Sequence, residues 1–214
     1  SPDGSRIVVT EHSSVRILDA ASGEELFALK DIYIPSVSYS PDGSRIVETE
    51  HSSVRIWDAA SGEELVHFEN LKSYAFSPDE SRFCTGDQKG TVRIWDAVSG
   101  EELATLGGHE DSVLSVAYSP DGSRIVSVCW HGDEKTVRNW DATSFQVLAV
   151  LQGGIQGDNE PEFSVTYSPD GSRVVTSNNE GTVRVCDTAS GEELAVLRGP
   201  TRFNVLPSIT YSPD

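Results

Sequence analysis

The sequence predicts an all-β fold: a β-propeller of five four-stranded antiparallel blades. Two observations carry that expectation. The tripeptide Ser-Pro-Asp recurs at Ser1, Ser40, Ser77, Ser119, Ser168 and Ser212, in steps of 39, 37, 42, 49 and 44 residues. Within each period, four short β-rich segments alternate with turn chemistry, and four strands at a period of roughly 40 residues make one propeller blade. No window of 11 residues carries apolar side chains at helical spacing.

The elements follow in order. Lettered from the centre outwards, "SVAYS" is strand A, "RIVS" strand B, "TVRIW" strand C and "ELATL" strand D. β-branched and aromatic residues alternate along them, as a half-buried pleated strand requires. "SPDG" joins A to B: proline presets φ for the turn, and Asp-Gly completes it. "DAASGEE" is the second polar, glycine-containing turn, joining C to D. Repeats start near 1, 40, 77, 119 and 168 and form a single domain over 1–214.

The two ends spell one phrase. The chain finishes on "SITYSPD" and opens on "SPDGSRIVV"; together they read like "SVSYSPDGSRIVE" at 36–48. The start therefore supplies strands B, C and D of the first blade, and residues 205–214 supply the missing strand A. The expectation is a ring closed by the C-terminal strand, with Ile209 and Tyr211 alongside Ile7 and Val9. A monomer is expected first. Strand exchange between chains, or membership of a larger ring, is the alternative. The chain has no methionine, which suggests a piece of a longer or processed protein.

Composition narrows the function. The chain of 214 residues is 37% hydrophobic and 23% charged, values of a soluble globular chain. No apolar run approaches the ~18 residues of a membrane-crossing helix. A net charge of −18 argues against nucleic acid and anionic membranes as partners. Copying explains most of that charge, since each repeat carries more acids than arginines, as in Asp42, Asp58, Glu63 and Glu64 against Arg45 and Arg55. Cys84, Cys129 and Cys186 fit neither a disulfide framework nor a zinc pattern and read as buried thiols in a reducing, cytoplasmic setting.

"GHEDSVLSVAYSPDGSRIVS" (108–127) and "TVRIWDAVSGEELATLGGH" (91–109) resemble the WD40 family, and the resemblance covers the whole chain. The likeness of neighbouring repeats is also similar to the propeller arrays of some bacterial and fungal proteins, NACHT-type receptors among them. The repeats at Ser1 and Ser40 differ at five positions over 29 residues: Val9/Glu48, Leu18/Trp57, Phe27/Val66, Ala28/His67 and Leu29/Phe68. The resemblance implies a buried network of His, strand Ser/Thr, Asp and Trp in each blade. This chain departs from it. The tryptophan stands at Trp57, Trp95 and Trp140 but is Leu18 and Cys186 in the outer repeats. The Gly-His pair occurs once, at His109. The family's Asp is missing, Asp133 lying one position too early. One blade can approach the network, through His109, Ser127 and Trp140. The three tryptophans are expected to serve mainly as apolar packing between blades.

The A–B and C–D turns share one face and barely vary. The B–C and D–A links share the other and have diverged, as recognition loops on a rigid scaffold do. Five residues there are the candidate binding groups: Tyr33, Trp130, His131, Arg202 and Phe203. Trp130 and His131 are expected on a B–C link three residues longer than its neighbours. His12 and His51 are copies of one another, so no metal is expected. The inner strands hold no acid, histidine or lysine, and no nucleophile, zinc or phosphate motif occurs. The expectation is a non-enzyme without cofactor that binds a protein or peptide through the variable face. A lectin-like or small-ligand-binding propeller is the alternative.

Overall fold

The computed structural model describes residues 1–11, 14–30, 36–40, 42–50, 52–131, 134–152, 163–178 and 181–199. Their architecture is all-β. Nineteen strands form five antiparallel meanders among the described residues. The first sheet has three strands, β1 (Arg6–Glu11), β2 (Ser14–Asp19) and β3 (Glu25–Lys30). The second has four, β4 (Ser36–Tyr39), β5 (Arg45–Glu50), β6 (Ser53–Asp58) and β7 (Glu64–Phe68). The third runs β8 (Ser73–Phe76), β9 (Arg82–Gly86), β10 (Val92–Asp96) and β11 (Glu102–Leu106). The fourth is β12 (Val113–Tyr118), β13 (Arg124–His131), β14 (Glu134–Asp141) and β15 (Val147–Gln152). The fifth is β16 (Phe163–Tyr167), β17 (Arg173–Asn178), β18 (Thr182–Asp187) and β19 (Glu193–Arg198). We refer to the sheets as blades I to V. The strand expected at 205–214 lies outside the described residues.

Each A–B turn is organised by its aspartate. In blade II the Ser40 hydroxyl donates to Asp42 Oδ1 at 2.6 Å, and Asp42 also accepts the N–H and hydroxyl of Ser44. The Arg45 N–H then donates to Ser40 Oγ at 3.0 Å. The same bonds recur around Asp3, Asp79, Asp121 and Asp170. They hold the carboxyls of Asp3, Asp42, Asp121 and Asp170 down to about 2, the serine hydroxyl contributing most. The residue after the aspartate adopts left-handed backbone: Gly4, Gly43, Gly122 and Gly171 at φ 69–72°. Glu80 holds the same place at φ 51°.

The C–D turns repeat the device with Asp19, Asp58, Asp141 and Asp187, each accepting two backbone N–H groups and a hydroxyl. Just beyond, the register between strands C and D slips at the same place in all five blades: after Ile17, Ile56, Ile94, Asn139 and Val185. The residue skipped is the leucine of the "EEL" motif or its equivalent. A bulge leaves one residue unpaired, and Leu26, Leu65, Leu103, Leu148 and Leu194 are accordingly exposed.

Two compact units arise, Ser1–Leu71 with Ala97–Glu101, and Lys72–Asp96 with Glu102–Asp214. In the first, blades I and II bury Val15, Ile17, Leu29, Ile46 and Ala59. In the second, one cluster joins Cys84, Val92, Ile94 and Leu106 to Val113, Ile125 and Trp140, and another joins Val126, Val128 and Val137 to Val165, Tyr167 and Val174. Within each unit, strand C of one blade thus packs on strands A and B of the next. Where blades I, II and III place Ile17, Ile56 and Ile94 at this point of strand C, blade IV places Asn139, fully buried. Its amide accepts from the Tyr167 hydroxyl at 2.8 Å and donates to the Thr188 carbonyl at 3.0 Å. A buried amide so satisfied tolerates no shift of blade V along blade IV.

Both outer blades carry an open apolar position. Leu197 repeats Leu29 and Leu106, each 3% exposed, yet is itself 60% exposed. Ile7 repeats the fully buried Ile46 and Ile125 yet is 48% exposed.

Glu80 sits where four sibling turns use glycine, and left-handed backbone costs an L-residue about 1 kcal/mol over glycine. Glu80→Gly is therefore expected to stabilise the chain by up to about 1 kcal/mol, raising Tm by about 2–4 °C in a thermal melt. An unchanged or lowered Tm would show that the Glu80 side chain offsets its backbone strain.

Candidate functional site

The variable face is described at three links. At Asn70–Lys72, Asn70 adopts φ 59° and the Leu71 N–H donates to the Ser52 carbonyl at 2.8 Å. At 87–91, Asp87 gathers the N–H groups of Lys89 and Thr91 and the Arg93 guanidinium, all within 3.0 Å. Burial opposes its charge, but these donors hold its carboxyl below the usual range. Gly90, at φ 80°, lies against the main chain of the third link: a Cβ there would stand 2.4 Å from the His109 carbonyl oxygen. Thus 87–91 and 107–112 form one rigid patch, tied further by the Val113 N–H to the Asp87 carbonyl at 2.9 Å.

His109 lies beneath this patch, 7% exposed. Its Nε2 is 2.7 Å from Ser127 Oγ, and its Nδ1 is 3.0 Å from Thr136 Oγ1. The Trp140 indole N–H donates to the same Ser127 oxygen at 2.8 Å. One assignment uses every group once: Ser127 donates to Nε2, and Nδ1–H donates to Thr136. His109, Ser127 and Trp140 are thus joined by hydrogen bonds, and Thr136 is the partner of His109 Nδ1. Asp133 lies outside the described residues. Burial, aided by the Arg138 charge, brings the His109 pKa down to about 4. Arg138 itself donates to the Gly108 carbonyl at 2.6 Å.

The tryptophans do more than pack, which corrects the sequence expectation. Each indole N–H is bonded to the fourth residue of strand B in its own blade. Trp57 donates to Glu48 at 3.0 Å, Trp95 to Thr85 at 2.9 Å and Trp140 to Ser127. An indole N–H in a packed seam needs an acceptor. In blade I, where Leu18 replaces tryptophan, the acceptor position is Val9. Two of the five differences between the first two repeats are therefore one coupled change. The signal was visible in the sequence as a polar residue that accompanies each tryptophan.

Trp130 and His131 are also placed differently from expectation. They belong to β13, opposite Lys135 and Glu134 of β14. The extra length of this link goes into a longer hairpin, because Val128-Cys129-Trp130 and Thr136-Val137 favour pairing over a loop. Tyr33, Arg202 and Phe203, like His12 and His51, lie outside the described residues. Among the described residues, no group of three His, Cys, Asp or Glu side chains converges on a metal position.

The opposite face carries clefts that the sequence did not advertise. In the first unit a cleft of about 570 Å³ runs between Asp3, Arg6, Asp42, Arg45 and Asp58. In the second unit a smaller copy, about 220 Å³, is lined by Asp79, Arg82, Tyr118 and Asp121. Most of their polar groups are occupied, Arg45 by Asp58 at 3.0 Å, Arg82 by the Ala142 carbonyl and the aspartates by their turns, whereas the Tyr118 hydroxyl and Arg45 Nε have no hydrogen-bond partner among the described residues.

His109 sets a pH dependence. Its folded pKa of about 4 lies below the unfolded value of 6.5, so the unfolded chain binds the extra proton between those values. Stability is full above pH 6.5 and falls as pH drops towards 4, by about 3 kcal/mol in all. Denaturation at pH 7 and pH 5 should show about 2 kcal/mol of that loss in the parent chain and a much smaller one in His109→Gln. Equal losses in both would refute the assignment.

A family model described as "WD domain, G-beta repeat" (WD40) matches residues 65–96, 100–141 and 153–187, about half of the chain. No curated protein matches it.

Proposed function

The chain belongs to the WD40 repeat family, and from that premise we propose that it is a non-catalytic scaffold that holds a protein or peptide partner on its B–C and D–A link face. WD40 repeats generally serve protein–protein interaction, and the family is typically non-catalytic. One observation carries the choice of face: the turn face is nearly the same in every blade, and its turn serines and aspartates are bonded to one another. On the link face, by contrast, the sequence diverges above a rigid support built from Asp87, Gly90 and His109. Trp130 and His131, at the tip of the lengthened hairpin, are the anchors proposed first, with Tyr33, Arg202 and Phe203 on neighbouring links. An aromatic or arginine at such a position is the usual source of interface energy. The setting proposed is the cytoplasm, the partner a protein rather than nucleic acid or membrane, given the charge of −18.

Trp130→Ala and Phe203→Ala should weaken partner capture from an extract at least several-fold while Tm moves little. If substitutions on the Ser-Pro-Asp turn surface weaken capture more, the face is wrongly chosen. A second reading, a small polar ligand in the first unit, draws on the 570 Å³ cleft, a size typical of ligand pockets. A glycan array separates it from protein capture.

For the closed ring, we propose that residues 205–214 complete blade I as its strand A. Three facts support it: the matching ends, the three-stranded first sheet, and the open positions at Ile7 and Leu197. Truncation after Asn204, which removes residues 205–214, should then abolish the monomer in sedimentation. A truncated chain that stays monomeric with an unchanged Tm would exclude closure by that strand.

A further inference from the structure

The outer strand of blade IV differs from the other four. The outermost strands read "ELFALK", "ELVHF", "ELATL" and "ELAVLR" in blades I, II, III and V, but "VLAVLQ" in β15. In those four, the leading glutamate is paired with the arginine of strand C: Arg16 with Glu25 at 2.6 Å, Arg55 with Glu64 at 3.9 Å, Arg93 with Glu102 at 3.6 Å, and Arg184 with Glu193. In blade IV the glutamate is Val147, and Arg138 instead turns to the Gly108 carbonyl. Strand β15 thus carries no charged side chain. Val147, Leu148 and Val150 are 42%, 48% and 40% exposed. Among the described residues β15 pairs only with β14, so its outer row of N–H and C=O groups faces away from its own sheet.

Edge strands in stable proteins are normally guarded by charge, because a bare apolar edge templates another strand. Four blades keep the guard. The bulge at Leu148 limits the regular edge to Ala149–Gln152, paired there with Thr136–Asn139, which suits a short segment rather than a whole sheet. We propose that β15 is a second docking site, which adds one extended apolar peptide segment, flanked by basic residues, to the edge of blade IV. Main-chain bonds supply affinity in such strand addition, and alternate side chains supply selection. Charge decides the occupant. A second copy of the chain would bring another −18 charges to a short seam, whereas basic flanks are drawn to it. This site is separate from the link face and does not depend on that reading.

The test uses the whole chain and a fluorescent, lysine-flanked peptide of alternating valine and threonine, followed by anisotropy. The parent chain should bind it. Val147→Lys with Val150→Lys should weaken binding by at least about tenfold, while Leu103→Lys with Thr105→Lys on β11, which changes net charge equally, should not. N-methylation at alternate peptide residues should abolish binding in one phase and spare it in the other, because half of an added strand's N–H groups face the edge. No binding to the parent chain overturns the proposal, as does equal weakening by both lysine pairs or insensitivity to N-methylation. So does a parent dimer in sedimentation that the β15 lysines dissolve, since the occupant is then a second copy.

Discussion

The aspartate inside each Ser-Pro-Asp turn is the constraint on which the rest of the molecule depends. Its carboxylate accepts from a serine on either side, and the first serine accepts the N–H of the arginine that opens strand B. Strands A and B therefore leave the turn in one register in every blade. A strand shifted by one residue would turn its apolar side to water. With the register held, Ile46, Ile125 and Val174 all point into the seam with the preceding blade. The aspartate at the C–D turn does the same for the outer strands and places a bulge beyond it, which puts a leucine into solvent five times over. Exposed leucine is here a consequence of backbone geometry, repeated by copying.

Upon that frame, seams are made specific by a few polar pairs. Trp57 and Trp140 fill space between blades, and all three strand C tryptophans tie their N–H to strand B. The cost of a buried, unbonded indole explains why Glu48, Thr85 and Ser127 accompany tryptophan and Val9 accompanies Leu18. His109 extends one such pair into a chain of Trp140, Ser127, His109 and Thr136. Because the ring is neutral and enclosed, that chain stiffens the link above it and makes stability sensitive to mild acid. Asn139 with Tyr167 performs a similar task between blades IV and V.

Departures from the repeat gather in blade IV. Its hairpin is longer, its C–D turn carries Phe145 at φ 62° where siblings have glycine, and its outer strand is bare of charge. Phe145 packs against the same core as Ala104, whereas Phe27 meets Gly62 and Val66 meets Gly100 in the first unit. Large and small residues have exchanged sides across equivalent contacts while filling the same volume. A blade that changes in so many places while keeping its turns and seams is free to acquire surfaces that its siblings lack.

By itself the sequence determined the period, four strands in each repeat, both turn types and the residues of strands A to D. These are local properties: two-residue alternation, proline and glycine conformations, and serine–aspartate bonds that close within five residues. Copying the repeat made them legible five times. The sequence also indicated His109, Ser127 and Trp140 as one group. Only the tertiary structure decided that Thr136 completes it, that Glu48 and Thr85 accept from indoles, and that Asn139 bonds Tyr167. It also decided that Trp130 and His131 stand on a strand. The physical reason is distance along the chain. These contacts join residues nine to twenty-eight positions apart, and their partners are chosen by strand register and by which blade faces which, neither of which a local pattern specifies.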